Sequence, residues 1–181
     1  MGTLFWTFLF YSFCGFLLEV GFAKVTHSPK QDRKCHVLLP VCPVYGVGAL
    51  SILLLPAAVT AYPFLLFLAG AAVCTAAEWG LSWFYEKAAG AAFWDYHTLP
   101  WNLNGRVCLL FSVFWGLLAL LLVYGVQPWL LRWVSRIPPA VTIPAALFYL
   151  GDAATSLFLL RRGGTRALRW RQGFRAGRPS S

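Results

Sequence analysis

Five apolar runs of nearly bilayer-crossing length constrain what this chain of 181 residues can fold into. A helix needs about 20 mostly apolar residues to cross the hydrocarbon core of a membrane. The runs cover about residues 3–22, 44–59, 63–85, 107–126 and 139–160. The second is short and broken near Pro56, and the fifth contains Pro144 and Gly151. We therefore predict an all-α membrane bundle with five transmembrane helices.

The composition agrees with this class of protein. The chain is 59% hydrophobic and 12% charged, whereas soluble domains are about 45–50% apolar and about 25% charged. We predict one transmembrane domain over residues 1–160 and an arginine-rich cytoplasmic tail over residues 161–181. The five cysteines form no CxxC pair, which favours reduced thiols over a disulfide framework. The first run lacks a preceding basic region and a following cleavage site, so we interpret it as an anchor.

Basic residues indicate the orientation, because Lys and Arg favour the cytoplasmic side of membrane helices. With five helices, the loops after the first and third runs share one side with the tail. Thirteen of the fifteen basic residues fall in these three segments. We therefore predict the N-terminus outside and the C-terminus inside. Residues 129–137, which carry Arg132 and Arg136, are predicted to lie along the outer headgroups, and the tail to contact anionic lipid headgroups.

Carboxylates inside the apolar runs form the candidate site. Glu19, Glu78 and Asp152 lie in the inner halves of the first, third and fifth runs. An acidic residue at the helix centre costs about 2.5–3.5 kcal/mol on insertion scales, so such residues usually mark sites or pathways. Arg106, at the inner start of the fourth run, is the predicted counter-ion. The candidate set is Glu19, Tyr45, Glu78, Glu86, Asp95, Tyr96, Asn102, Asn104, Arg106 and Asp152.

Helical spacing places polar residues on narrow faces of three helices. The faces are formed by Ser12, Gly15 and Glu19; by Glu78, Ser82 and Glu86; and by Asp152 and Ser156. A glycine on such a face allows a neighbouring helix to approach closely. We therefore expect a close helix contact at Gly15.

Structural roles are the alternative for most of these residues. Glu19 and Glu78 can have a purely structural role, in which they stabilise the bundle by bonding to Arg106 or to Tyr and Trp donors. Glu86 lies near the interface, where it can reach water. Trp94, Tyr96 and Trp101 are also typical of an aromatic belt. Asn104 can serve as the N-cap of the fourth helix.

The three histidines indicate no metal site, because a metal needs several ligands at close spacing. We interpret His97 as a hydrogen-bonding loop residue. His27 and His36 lie in a basic loop and are interpreted as solvated. We predict no metal, no other cofactor and no nucleic-acid partner.

Several segments together resemble a family of small bacterial membrane proteins, the putative ABC-transporter permeases of type IV. They are FYSFCGFLLE at residues 10–19, PVCPVYGVGA at 40–49, EWGLSWFYE at 78–86, WDY at 94–96, NLNGRVCL at 102–109, and Asp152 with Ser156. The resemblance covers about residues 5–158. It implies a multi-pass protein of the bacterial cytoplasmic membrane and a role in transport, and it assigns no residue roles.

Three functions stay open at this point. In a permease subunit, the inner carboxylates would bind a cation or an amine. The chain has no GxxxxGK[ST] phosphate loop, so ATP hydrolysis would come from a separate subunit that docks on residues 24–41 and 87–105. Five helices are few for one path, which favours a homodimer. The alternatives are an intramembrane lipid-modifying enzyme, with Arg106 holding a phosphate, and a non-catalytic lipid-binding or assembly protein.

Overall fold

The structure, a computed structural model, describes residues 2–27 and 35–169, and the chain is mostly helical. The helices are α1 (Gly2–Val25), α2 (Pro43–Leu53), α3 (Ala57–Thr60), α4 (Pro63–Ala89), α5 (Leu109–Leu120), α6 (Gln127–Val134) and α7 (Pro139–Gly163). A π-helical segment, Leu121–Val126, joins α5 to α6. Two short strands, β1 (Asn102–Leu103) and β2 (Val107–Cys108), pair antiparallel before α5.

Within residues 2–27 and 35–169, four helices are long and apolar enough to cross a membrane. They are α1, α4, the continuous helix Leu109–Val134 and α7. By contrast, α2 has 11 residues and is therefore about 16 Å long, roughly half the thickness of a hydrocarbon core. The chain breaks at Pro56 before it continues into α3, as the sequence suggested. The total of five crossings and the orientation of the termini stay predictions.

Contacts near the helix ends define the direction of the long helices. Trp6 Nε1 donates to Thr142 Oγ1 over 2.9 Å, which joins the starts of α1 and α7. Arg161 Nε donates to the carbonyl of Ala88 over 2.6 Å, which joins the ends of α7 and α4. These three helices therefore run in the same direction. The polar ends of α1, α4 and α7 consequently lie at one end of the bundle.

Proline and glycine mark several helix ends. Pro43, Pro63 and Pro139 open α2, α4 and α7, where the missing N–H leaves no intrahelical bond unmade. Gly90 ends α4 with φ of 60°. This left-handed conformation is accessible to glycine without a steric penalty.

The expected close approach at Gly15 is confirmed. A Cβ at this position would lie 2.1 Å from Cγ of the Tyr45 ring, so only glycine leaves room for α2 against α1. A second close contact brings Gly70 of α4 against Ala119 of α5, where an added Cβ would lie 2.4 Å from the alanine Cβ. Small residues thus set the spacing of both helix pairs.

The fourth helix differs from the sequence prediction at both ends. It starts at Leu109, because residues 107 and 108 form β2. Its N-cap is Cys108, so the N-cap role considered for Asn104 is wrong; Asn104 instead adopts φ of 54° in the turn between β1 and β2. At the other end the helix continues through the π-helical segment to Val134. Most of the segment predicted to lie along the headgroups is thus the last part of this helix.

Parts of two basic segments can be compared with their predictions. Residues 161–169 are helical, as the end of α7 and a 3₁₀ turn (Gly164–Arg169), and Leu168 is buried. Residues 170–181 and residues 28–34 lie outside the described residues. The predicted lipid contacts of the last arginines of the tail fall there, as do Lys30, Arg33 and Lys34 of the predicted docking segment 24–41.

Candidate functional site

Glu78 of α4 is a buried carboxylate held by two neutral donors. Its side chain accepts hydrogen bonds from Tyr96 Oη and from Trp115 Nε1, each over 3.0 Å. The residue is 4% exposed. Among residues 2–27 and 35–169, no basic side chain lies within ion-pair distance of Glu78. The side chain is therefore hydrogen-bonded but has no described counter-charge.

Glu19 of α1 is held by the first turn of α2. Tyr45 Oη donates to Glu19 Oε1 over 2.8 Å. Tyr45 stands here because it packs directly against Gly15, one turn before Glu19 on the same face of α1. The close α1–α2 contact therefore positions the donor that binds this carboxylate.

The two glutamates line one small cavity of about 50 Å³, which we call the carboxylate cavity. Its polar wall consists of Glu19, Cys35, Cys42, Tyr45, Glu78 and Tyr96. Aromatic rings form most of the remaining wall, among them Phe93, Trp94, Phe111 and Trp115. A water molecule needs roughly 10–15 Å³ of such space, so the cavity has room for a few waters or for one small ion or head group.

The loop between α4 and α5 covers one side of the cavity. The backbone N–H of Tyr96 donates to the carbonyl of Gly105 over 2.8 Å, and Trp94 Nε1 donates to the carbonyl of Arg106 over 2.9 Å. The Tyr96 ring stacks on Phe111 at 4.7 Å. Burial, and then the charge of Glu78, raises the pKa of the Tyr96 phenol. The phenol thus keeps its proton and donates to Glu78.

Arg106 lies apart from the two glutamates of the cavity. Its guanidinium pairs with Glu86, two turns after Glu78 on α4, and lies over the Trp79 ring at 5.5 Å. The Arg106 side chain is 18% exposed and that of Glu86 is 50% exposed. The guanidinium of Arg106, which was predicted to balance Glu19 and Glu78, therefore pairs with a different carboxylate nearer the surface.

Three other candidates lie in the loop and do not line the cavity; Asp95 and Asn102 hold it together. Asp95 accepts from the backbone N–H of His97 over 2.9 Å and contacts the same imidazole. Asn102 donates to the carbonyl of Leu99 over 2.8 Å and accepts from the N–H of Gly105 over 3.0 Å. Asn104 is exposed in the β-turn. These residues shape the loop that carries Tyr96.

Asp152 belongs to a second polar cluster, on α7. Its carboxylate accepts from the backbone N–H groups of Leu38 and Leu39, each over 3.0 Å, and lies 3.2 Å from His36 Nδ1. Ser156, one turn later, accepts from the N–H of Val37 over 2.9 Å. The polar face predicted on α7 is thus directed at residues 36–39, which precede α2.

The interpretation of His36 as solvated is wrong. The His36 side chain is 3% exposed, because it packs between Asp152 and the Tyr149 ring, whose centroid lies 5.2 Å away. Burial lowers the pKa of the imidazole, and the nearby Asp152 opposes this shift. A single histidine among basic residues gave no sign of this burial.

Sequence reasoning also missed several residues of the cavity wall, among them Cys35, Cys42 and Trp115. Trp115 lies in the middle of an apolar run, where an indole N–H needs an acceptor; that need was the available signal. Cys35 and Cys42 place their sulfurs 3.8 Å apart as free thiols. A hydrogen bond with Cys35, together with burial, raises the pKa of the Cys42 thiol. No group of three or more His, Cys, Asp or Glu side chains that could hold a metal occurs in the described part of the chain.

Comparison with curated proteins and with solved structures gives no match. A family model described as "Putative ABC-transporter type IV" matches residues 6–158. The matched region contains both carboxylates of the cavity, the loop that covers it and the Asp152 cluster. Because the match spans most of the sequence, the chain belongs to this family of putative type IV ABC transporters.

Proposed function

We propose that the chain is a membrane-embedded transporter component that binds a cation, or the cationic group of its substrate, in the carboxylate cavity. The observation that supports this most is Glu78, a buried carboxylate that faces a cavity and has no described basic partner. An ionised carboxylate in such a place is unfavourable unless a positive charge compensates it. A bound cation would supply that charge.

The aromatic walls favour the same kind of ligand. A cation near the face of a Trp or Tyr ring is attracted by the ring's negative π surface. Tyr45 and Trp115 lie with ring centroids 4.9 Å apart at the cavity wall. The glutamates and the rings together therefore favour a positively charged group over a neutral or anionic one.

Membership of the family and the four long apolar helices support a membrane transporter component. Because the chain carries no phosphate-binding loop of its own, we propose that a separate ATP-binding subunit drives the cycle. Residues 24–41 and 87–105 are the proposed docking segments. We further propose a homodimer in the bacterial cytoplasmic membrane, with the arginines of residues 161–181 on anionic lipid headgroups.

The lipid-modifying alternative has weaker support. It needs Arg106 to hold a phosphate beside the two glutamates of the cavity. Arg106 pairs with Glu86 instead and contacts Trp79. Transport therefore remains the function that we propose.

The test is methylammonium binding by the full-length protein in phosphatidylcholine vesicles. We expect Glu78→Gln to reduce binding by at least about tenfold, since truncating a desolvated charge contact typically weakens binding strongly. The thermal midpoint should hold or rise, because a buried charge has been removed. Glu86→Gln is the matched control, on the same helix but outside the cavity lining. Equal loss of binding in both variants, or loss only in proportion to folded protein, would contradict the proposal.

A further inference from the structure

A second, larger space lies beside the carboxylate cavity. This apolar groove has a volume of about 720 Å³ and is walled by α1, α2 and the helix Leu109–Val134. Several leucines and a phenylalanine at its edge are exposed: Leu17, Leu18, Phe22 and Leu121. In a protein that spans a membrane, a groove with such an edge is accessible from the lipid.

The groove and the carboxylate cavity share part of their walls. Tyr45, Trp115 and Leu118 line both spaces. Tyr45 is the donor to Glu19, and Trp115 is the donor to Glu78. The groove and the cavity therefore adjoin at the side chains that hold the two carboxylates, and a ligand that occupied both spaces would pass beside the Tyr45 and Trp115 rings.

We propose that the two spaces together bind a single-chain amphiphile with a primary ammonium head. The head lies in the carboxylate cavity, and the alkyl chain lies in the apolar groove. This inference rests on the proposed function and names the substrate class. It commits to an alkylammonium rather than to a second copy of the chain, because carboxylates line the cavity that adjoins the groove.

The acceptors left on Glu78 match this head group. A carboxylate offers about four acceptor sites, and Tyr96 and Trp115 use two of them. A primary ammonium brings three N–H donors and a positive charge. A trimethylammonium head is bulkier and has no donors, which fits a cavity of about 50 Å³ less well. A phosphate or carboxylate head would be repelled by the two glutamates.

The alkyl chain determines location more than affinity. Lipid tails solvate a chain as well as apolar side chains do, so the groove gains little from the hydrophobic effect alone. The chain keeps the ligand in the membrane and aligns its head with the cavity. The decisive measurement is therefore where the chain lies when the head is bound.

The experiment is photolabelling of the full-length protein in phosphatidylcholine nanodiscs. The probe is dodecylammonium with a diazirine at the end of its chain, and the comparison is dodecanol with the same diazirine at equal membrane mole fraction. We expect the ammonium probe to label α1 and the helix Leu109–Val134 at the groove. The alcohol should label exposed helix surfaces without this preference. Glu78→Gln should reduce groove labelling by the ammonium probe at least about tenfold and leave the alcohol pattern unchanged.

Two glycine variants test the groove with matched chemistry. An added Cβ meets nothing within 4 Å at Gly21, which lines the groove, or at Gly151 of α7, which does not. Gly21→Phe should therefore remove groove labelling, whereas Gly151→Phe should retain it. If Gly21→Phe fails to fold, the comparison of the two probes on the unaltered protein still decides.

The outcomes separate this inference from the proposed function. Equal groove labelling by the alcohol would overturn the ammonium ligand. Absent groove labelling with methylammonium binding that depends on Glu78 would overturn the amphiphile and leave the cation site standing. Absent groove labelling and absent methylammonium binding would overturn both. A disulfide between the Cys14 residues of two copies, formed by oxidant, would show a second copy over the groove and would also overturn the proposal.

Discussion

Two buried carboxylates in this bundle have different partners, and the difference separates a binding residue from a structural one. Glu78 accepts from two side chains and faces a cavity. Asp152 accepts from the backbone N–H groups of Leu38 and Leu39, in the segment before α2, and contacts His36. Backbone donors cannot leave without unfolding this segment. We therefore expect Asp152 to contribute to stability and Glu78 to ligand binding.

Replacing Asp152 should destabilise the protein strongly. Asp152→Ala leaves two part-buried N–H groups and the buried His36 without their acceptor, and we expect a loss of about 3 kcal/mol, since each unsatisfied buried donor costs about 1–3 kcal/mol. Asp152→Asn retains one acceptor oxygen, so its stability should lie between that of Asp152→Ala and that of the unaltered protein. Unfolding in detergent micelles measures both.

The control for this series is Asp95→Ala, because the Asp95 side chain is 65% exposed. Its loss should change stability by less than about 1 kcal/mol. If Asp95→Ala reduced stability as much as Asp152→Ala, the contacts of Asp152 would contribute no more to stability than those of an exposed residue.

His36 predicts a loss of stability in mild acid. Burial holds the pKa of His36 below its ordinary value, which is about 6.5 in an unfolded chain. Below that pH the unfolded chain binds a proton that the folded protein takes up only at lower pH, so stability is complete above about pH 6.5 and falls as the pH decreases. The thermal midpoint measured against pH should show this decrease.

His36→Gln removes the titrating group. The thermal midpoint should then change less with pH between the pKa of His36 in the folded protein and its pKa in the unfolded chain. The Asp152 carboxylate contacts His36 in the described structure. Asp152→Asn is therefore the second control, because it tests how far this carboxylate contributes to the pH dependence. A midpoint that depends on pH equally in the protein with and without His36 would exclude the imidazole as the cause.

At the scale of single residues, the sequence predicted the depth of polar side chains in the membrane better than it predicted their contact partners. Placing Glu19 and Glu78 at a common depth needed only helix direction, and both line one cavity in the structure. The partner of Arg106 depended on loop geometry, because β1 and β2 turn its side chain towards Glu86. The burial of His36 depended on contact between two segments that are 116 residues apart. No local pattern carries such information.

At the scale of elements, the α1–α2 contact depends on one glycine. Gly15→Ala places a methyl group where the Tyr45 ring lies. The ring must move, the helices must separate, and the bond from Tyr45 to Glu19 is lost. We expect a destabilisation of about 1–3 kcal/mol, typical of overpacking, together with weaker methylammonium binding.

Gly21→Ala is the matched control on the same helix, since its Cβ meets nothing within 4 Å. Alanine favours helix over glycine by up to about 1 kcal/mol, so this variant should be neutral or slightly more stable. If Gly15→Ala behaved like Gly21→Ala, the close contact would carry no energetic weight.

Apolar length predicted the long helices but not their irregular parts. Runs at residues 3–22, 63–85 and 139–160 correspond to α1, α4 and α7 within a few residues. The β-hairpin before α5 turns at Asn104 and Gly105, which both adopt positive φ. Asn-Gly is a typical hairpin-turn dipeptide, so the sequence held a signal that an analysis of apolar length missed. The π-helical segment lies in a sequence as apolar as the α-helix around it. Hydropathy therefore cannot distinguish the two.

For the whole molecule, the charge distribution predicts a cytoplasmic C-terminus and an external N-terminus. A C-terminal alkaline phosphatase fusion should be inactive, whereas a C-terminal green fluorescent protein fusion should fluoresce. The same reporters fused after Thr60 should give the opposite pattern, because the predicted five-helix topology places the connection between the second and third apolar runs on the outer side. An active phosphatase at the C-terminus would reverse the predicted orientation.

The contacts between Asp152, Ser156 and residues 36–39 also restrict how the bundle can move. Four hydrogen bonds or ion-pair contacts join α7 to the segment that leads into α2. A hinge motion that separated them would have to break all four at once. Any rigid body that includes α7 therefore also includes residues 36–39. Because these residues lead directly into α2, the start of α2 would move together with α7. Movement of α7 would then change the distance between Tyr45 and Glu19, which mechanically connects the two polar clusters.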